Sequence, residues 1–430
     1  MTERASILVT GLGAICAAGN DPEAIWKQVE SGQSAIAPIQ QWDASGWPIA
    51  LAGEITGVDP RTLVEDRKLH KLIRRTDLLG LYAAGRAIED AGLLGYRDTL
   101  DAAATTTFND RSGVFVGSGG GSYQNQYDFF PLLTTAGGDL RTFGRELGST
   151  VNPMWLLRTL PNNVLCYIGI RYGLKGTNAC VTNHSVSGLQ AVVETAEAVR
   201  GGEADRAVAV GHDAPVEPET ILYYHRLGLL ATDAVRPFDA TRRGTLLGEG
   251  AAALVLETAS AVAARGATAL GEFLGSGCTS DAKGLLALRE DGDDLARAIA
   301  LALDEAGIGA NDVGMIVAHG NGTRQSDASE IAAIRRVFGA TPPPLTAFKW
   351  AFGHLMAASG ILETVLALVA LQHGVVPGVA TLHRLDPALT PVPVSPKPQR
   401  PRSDIGLVLS RGFGGINVAL LVRALPTSAN

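Results

Sequence analysis

Ser185, His319, His354 and Lys349 are the side chains of this sequence whose types and settings best suit chemistry. Ser185 lies in the stretch Gly176 to Asp213, which reads as a buried strand, a sharp turn and a long amphipathic helix, with a second strand after it. A nucleophile at a helix N-terminus faces unpaired amides and the positive end of the macrodipole, which stabilise an attacking anion and a tetrahedral oxyanion. Imidazoles titrate near neutrality, so His319 and His354 can shuttle a proton or hydrogen-bond a reacting carbonyl. Lys349 can fix one imidazole through a chain of polar contacts. Phe413 lies between glycines, on backbone that allows close approach; its N–H can complete an oxyanion hole and its ring can gate a channel. A serine hydroxyl is far less acidic than a thiol and needs a neighbouring general base. The set suits acyl transfer.

The elements that must position these residues fall into two halves with the same order. The first opens with a strand at Ile7–Thr10, has a glycine-ended strand at Gly113–Gly117, then the strand–turn–helix at Ser185, and closes at Ala251–Glu257. The second opens near Ala269–Leu274, has a strand at Val313–His319, a turn and long apolar helix from Gly353 to His373, and closes at Ile416–Val422. Short apolar runs bounded by glycine suit strands buried on both faces, and the segments between them show helical periodicity. Paired arrays of this kind imply stacked α/β layers. The turns at His184-Ser185 and Gly353-His354 are expected to be equivalent, so that both helix N-termini meet at one central site.

Several separated motifs agree in order and spacing with the β-ketoacyl-acyl-carrier-protein synthases. Ala318 to Thr323 resembles the family's His-Gly-Thr-Gly-Thr, and Ser326-Asp327 through Glu330 its Gly-Asp-x-x-Glu. Phe348 to His354 resembles Thr-Lys-Ser-x-x-Gly-His, and Arg411 to Asn417 resembles Phe-Gly-Phe-Gly-Gly-x-Asn. Gly244 with Gly248-Glu249-Gly250, and the loop Ser280-Asp281-Ala282, match as well. The resemblance covers nearly the whole chain. It implies a thiolase-like α/β fold, layered αβαβα, with two pseudo-duplicated halves at 1–262 and 263–424 and a tail at 425–430.

The family carries a cysteine at the strand-to-helix turn, followed by x-Ser-Gly and a helix ending in Gly-(Asp/Glu)-Ala-Asp. Ser185 is followed by Val186, Ser187 and Gly188, and then by Gly202 to Asp205, and it stands at the family's usual step of nine residues after Gly176. Choosing Cys180 instead would delete five residues from a central strand, where even a one-residue slip inverts the faces. Cys180 is expected to be a small buried hydrophobe.

Carried over residue by residue, the resemblance makes Ser185, His319, Lys349, His354 and Phe413 catalytic, and Asn321, Thr323, Arg411, Gly412 and Gly414 substrate-binding. The substrates ride on the phosphopantetheine of an acyl carrier protein, with no cofactor or metal of the chain's own. Asn321 stands where the family has a threonine, Arg411 where it has an aromatic, and Lys283 to Leu286 where it has Tyr-His-Met-Thr. His184 stands where the family has a small residue, and strand alternation is expected to point it away from the site, into packing. Lys68, Lys71, Arg74 and Arg75 lie in a helix-like segment resembling the family's carrier-docking helix; a solvated face is the alternative. Gly117 to Ser122 resembles a phosphate-cradling loop but lacks the P-loop lysine.

The chain has 430 residues, of which 46% are hydrophobic and 18% charged, with a formal charge of −7. That balance suits a well-buried protein of two fused modules and argues against a nucleic-acid partner. No uncharged run approaches the ~20 residues of a membrane span. Four scattered cysteines without metal spacing suit reduced thiols in a cytoplasm. The resemblance implies a dimeric acyltransferase of fatty-acid or polyketide-type synthesis, as a homodimer or paired with a ketosynthase. The rivals are a non-elongating partner like a chain-length factor, and a decarboxylase or hydrolase of carrier thioesters.

Overall fold

The computed structural model describes residues 6–120, 126, 127 and 129–426. Of the glycine-rich turn singled out above, Gly121 and Ser122 lie outside them. The first half comprises β1 (Ile7–Cys16), α1 (Arg75–Asp90), β2 (Ser112–Ser118), β3 (Asn178–Val181), α2 (Ser187–Arg200), β4 (Arg206–Asp213), α3 (Pro218–Arg226) and β5 (Gly250–Thr258). The second comprises β6 (Gly271–Ser280), α4 (Asp293–Ala306), β7 (Met315–Val317), α5 (Arg324–Phe338), β8 (Leu345–Thr346), α6 (Ser359–Gln372), β9 (Ile405–Gly412) and β10 (Ile416–Ala424).

The strands run β3-β2-β4-β5-β1 in one half and β8-β7-β9-β10-β6 in the other. Parallel and antiparallel neighbours also correspond: β2 is parallel to β3 and β4, as β7 is to β8 and β9, and the remaining pairs are antiparallel. The halves join where β1 meets β6 at Ile7↔Phe273, Leu8↔Glu272 and Val9↔Gly271, making one ten-stranded sheet.

Period-two alternation sorts the strand side chains into separate cores. On β5, Ala252, Leu254 and Leu256 face a central core, whereas Ala251, Ala253 and Val255 face α1. On β10, Val418, Leu420 and Val422 face the same centre, whereas Ala419 and Leu421 face α4. The centre holds α2 and α6. Every residue of α6 from Ser359 to Leu371 is buried, as a helix apolar all round requires. The layers are thus α1, one half-sheet, the pair α2 and α6, the other half-sheet, and α4. This is the expected thiolase-like arrangement.

Two expectations change. The basic segment is not one helix: a short turn spans Leu69–Lys71 and α1 begins only at Arg75, where the Asp77 carboxylate accepts the Arg74 N–H at 2.9 Å. The helix expected from Gly353 starts at Ser359, because Gly353 at φ 81° closes a separate short helix, Lys349–Phe352, and the chain bends again at Met356.

Candidate active site

The turn from β3 into α2 is tied by Ser187, whose hydroxyl accepts the Asn183 N–H and donates to the His184 carbonyl, both at 2.7 Å. His184 sits within it at φ 54°, a left-handed conformation that costs a non-glycine residue about 1–3 kcal/mol. Ser185 follows, buried, where the chain enters α2. The second half repeats this turn: Ser359 accepts the Leu355 N–H at 3.0 Å and Met356 adopts φ 48°. The structural equivalent of His184 is therefore Met356, three residues beyond Gly353, which corrects the expected pairing of His184-Ser185 with Gly353-His354.

His354 precedes that second turn. Its Nδ1 accepts the Met356 N–H at 3.1 Å and lies 2.9 Å from the Ser359 hydroxyl, so the proton of the neutral ring sits on Nε2. His319 follows β7, with its backbone held on both sides. Glu330 on α5 accepts the N–H groups of His319 and Gly320 at 2.7 and 3.0 Å, and the Lys349 ammonium donates to the His319 carbonyl at 2.6 Å. Lys349, fully buried, also pairs with Glu363 of α6 at 2.6 Å. Lys349 therefore acts on the His319 backbone rather than on its ring. Burial pushes the Glu363 carboxyl up to about 7, opposed by Lys349.

The two imidazoles lie 5.3 Å apart between centroids, edge to face. Burial holds both well below the usual histidine range, and the Lys349 charge pushes the same way. Both rings are neutral at neutral pH. The His319 Nδ1 accepts the Arg411 N–H at 3.3 Å, while its Nε2 lies 3.3 Å from the Asn321 amide nitrogen. Two donors thus compete for the single lone pair of a neutral ring. Asn321 is oriented by its oxygen, which accepts the Thr323 N–H at 2.9 Å and hydroxyl at 2.8 Å.

Arg411 borders the cavity, but its guanidinium is turned into the protein. It donates to Asn417 at 2.9 Å and to the Ser326 carbonyl at 3.3 Å, and lies 3.6 Å from Asp281. Its contacts are those of a strut. Phe413 follows the end of β9, and Gly414 beside it has φ 80°. The Phe413 ring stacks on His184 at 4.6 Å and on Tyr224 at 5.6 Å.

Ser185, His319, His354, Asn321, Thr323, Arg411, Gly412 and Phe413 border one cavity of about 260 Å³, together with Tyr224 of α3 and Leu285, Leu286 and Leu288. Cys180 lies back in β3, which is an edge strand and not the central one expected, so the residue is half-buried instead of buried; it pairs with Val116, with its thiol 3.5 Å from the Pro161 carbonyl. Burial raises its pKa, the opposite of an activated thiol.

Sequence reasoning missed two neighbours of Ser185. The His184 Nδ1 is 3.0 Å from the Ser185 hydroxyl, and its Nε2 is 2.8 Å from the Tyr224 hydroxyl. His184 does not point away as strand alternation suggested, because at φ 54° it has already left the strand. Tyr224, 20 residues before the next recognised motif residue Gly244, carried no signal of its own. Glu363 was missed as well, although a lone acid in an apolar helix is a signal, since it needs a buried cation.

The four basic residues divide. Lys68 and Lys71 are exposed. Arg75 is turned inward, donating to the Ile55 carbonyl and pairing with the buried Glu249. Arg74, half-buried, lines a cavity of about 230 Å³ with Asp213, His184 and Tyr224. Among the described residues, no group of three or more His, Cys, Asp or Glu side chains is placed to hold a metal ion, and no helix is long and apolar enough to cross a membrane.

With this geometry in place, comparison with known proteins gives a consistent picture. The profile of the beta-ketoacyl synthase N-terminal domain matches residues 4–261, and that of the C-terminal domain residues 270–383. Nodulation protein E of Rhizobium sp. (strain N33) is 33% identical over 424 residues, covering 97% of this chain and 98% of its own length. The actinorhodin polyketide putative beta-ketoacyl synthase 1 of Streptomyces coelicolor is 32% identical over 443 residues, covering 98% of this chain and 89% of its own. The solved structure of the ishigamide ketosynthase/chain length factor superposes with a TM-score of 0.88 at 30% identity, covering 98% of this chain and 100% of its own. The turn that presents Ser185, the paired imidazoles and the two matched halves are those of one protein family, and the chain belongs to the beta-ketoacyl synthases.

Proposed function

We propose that this chain is an acyltransferase of the ketosynthase kind, taking acyl groups from acyl-carrier-protein thioesters in fatty-acid or polyketide-type synthesis, with Ser185 as acyl acceptor. One observation carries the reading: Ser185, His319 and His354 border a single cavity where α2 and α6 begin. The Ser185 oxygen attacks the thioester carbon, and the amides of Ser185 and Phe413 receive the oxyanion. The His319 and His354 rings hydrogen-bond the thioester carbonyl of an incoming malonyl unit, whose loss of carbon dioxide gives the carbanion for carbon–carbon bond formation. The phosphopantetheine arm belongs to the substrate, and Lys68 and Lys71 are the exposed cations left to meet an acidic carrier.

Edge strand β3 is the surface for a second chain of this fold, whether a copy or a cysteine-bearing ketosynthase. The exposed Leu156, Leu157, Leu160 and Ile170 lie on the segments leading to it, and an edge strand with apolar flanks favours pairing. The missing thiol favours the second reading, a non-elongating partner of an active synthase; the intact Lys349–His319 and His354 arrangement weighs against it. Intact-protein mass after incubation with acyl-loaded carrier separates the two: an acyl adduct is expected, and a chain that stays unmodified fits the partner reading.

A further inference from the structure

We propose that His184 is the general base of Ser185 and that Tyr224 positions it, so that the chain carries its own serine–histidine–tyrosine unit beside the His319–His354 pair. This rests on the reading of Ser185 as acyl acceptor. Among the described residues, the hydrogen bond of the Ser185 hydroxyl goes to His184 Nδ1, at 3.0 Å. The far nitrogen of the same ring is 2.8 Å from the Tyr224 hydroxyl. Nucleophile, base and orienting group within hydrogen-bond reach of one another is the geometry an activated hydroxyl needs. In the productive tautomer Nε2–H donates to the Tyr224 oxygen, leaving the Nδ1 lone pair to accept the Ser185 proton.

Three further observations fix the ring. The left-handed backbone at His184 turns its side chain toward Ser185 instead of along β3. Phe413 stacks on the ring at 4.6 Å, 23° from parallel. Tyr224 is itself buried, on α3. His319 and His354 are engaged elsewhere, each with Nδ1 accepting a backbone N–H. Burial also lowers the affinity of His184 for protons, which keeps it in the basic form.

In the step this unit performs, the Ser185 oxygen bonds to the thioester carbonyl carbon while its proton passes to His184 Nδ1. The carbon–sulfur bond then breaks, and the proton moves from Nδ1 to the departing sulfur. The products are an acyl ester on Ser185 and a thiol, with no change of oxidation state. Tyr224 touches none of the reacting atoms and acts through His184.

A fluorophosphonate probe reads the nucleophilicity of the Ser185 hydroxyl without any carrier or acyl chain. Wild type is expected to be labelled at Ser185, with the rate falling at least about 100-fold in His184→Ala and to an intermediate value in Tyr224→Phe. A purely structural role is tested in the Ser185→Cys background, where a thiol beside a helix N-terminus ionises without a base. Adding His184→Ala there should change the rate of iodoacetamide alkylation at position 185, read by peptide mass, by less than about tenfold. The proposal is overturned if wild type is not labelled at Ser185, if His184→Ala is labelled as fast as wild type, or if alkylation collapses in the double variant. Labelling that depends on His184, in a protein that acyl carriers fail to acylate, would uphold the base and remove the carrier reading alone.

Discussion

A hydroxyl in place of a thiol alters what its neighbours must do. An oxygen ester is a poorer acyl donor than a thioester, so a chain acylated at Ser185 should condense slowly. Ser185→Cys is expected to raise both carbon dioxide release and 3-oxoacyl product from malonyl carrier, because His319 and His354 already border the cavity and Lys349 holds the His319 backbone behind it. Assaying both products in wild type and variant checks this; no gain in either would assign the altered chemistry to Asn321 and Arg411 instead. Most of this set was legible residue by residue, since His319, His354 and Lys349 lie in motifs with fixed spacing. His184 was not, because its direction depends on a backbone angle that alternation along a strand does not encode. Arg411 was half legible: its position beside the gate residue Phe413 followed from the motif, but the inward turn of its guanidinium depends on Asn417 and Asp281, which only folding brings near.

At the scale of elements, the site depends on how closely α2 and α6 approach. A Cβ added at Gly188 would stand 2.3 Å from the Ala357 carbonyl oxygen, backbone that cannot swing aside. The helical gain from glycine to alanine is at most about 1 kcal/mol, whereas overpacking costs about 1–3 kcal/mol or more, so the clash wins. Gly188→Ala is expected to lower the melting temperature by several degrees, whereas Gly144→Ala, in open space within the helix Leu140–Thr150, should hold or raise it. Thermal denaturation of the two variants decides the matter; equal melting temperatures would mean that the helices have room to part. The paired halves were legible here because apolar runs and glycines recur in order. The basic segment was misread because its periodicity continues upstream of Arg75, while the turn at Leu69–Lys71 interrupts the helix. Arg75 meets Glu249 from a remote loop, a pairing no local pattern announces.

Across the whole molecule, buried ionisable groups pull stability in opposite directions. Burial raises Asp213 and Asp327 to about 7, so each disfavours the folded state as pH rises from the unfolded carboxylate range toward 7. His212 does the reverse. It is buried, with Nδ1 2.9 Å from the Thr76 hydroxyl, and burial lowers it to about 4. The unfolded chain takes up that proton below about pH 6.5 and the folded chain does not, so stability is lost as pH falls from about 6.5 toward 4. His212→Gln should remove this term, making the acid loss of stability shallower than wild type by about 1.4 kcal/mol per pH unit in that window. Denaturant melts of both proteins at pH 7, 6 and 5 measure it, and parallel curves would mean that His212 charges in the folded state.

The measurement that bears most directly on the account is the site of acylation after incubation with acyl carrier protein. Trypsin releases Ser185 and Cys180 together in the peptide Gly176–Arg200, so fragmentation and neutral hydroxylamine are needed to tell them apart. An acyl group on Ser185 that survives hydroxylamine, as an oxygen ester does, and is absent from Ser185→Ala is the expected result. An adduct on Cys180 that hydroxylamine strips, or one retained in Ser185→Ala, would contradict it.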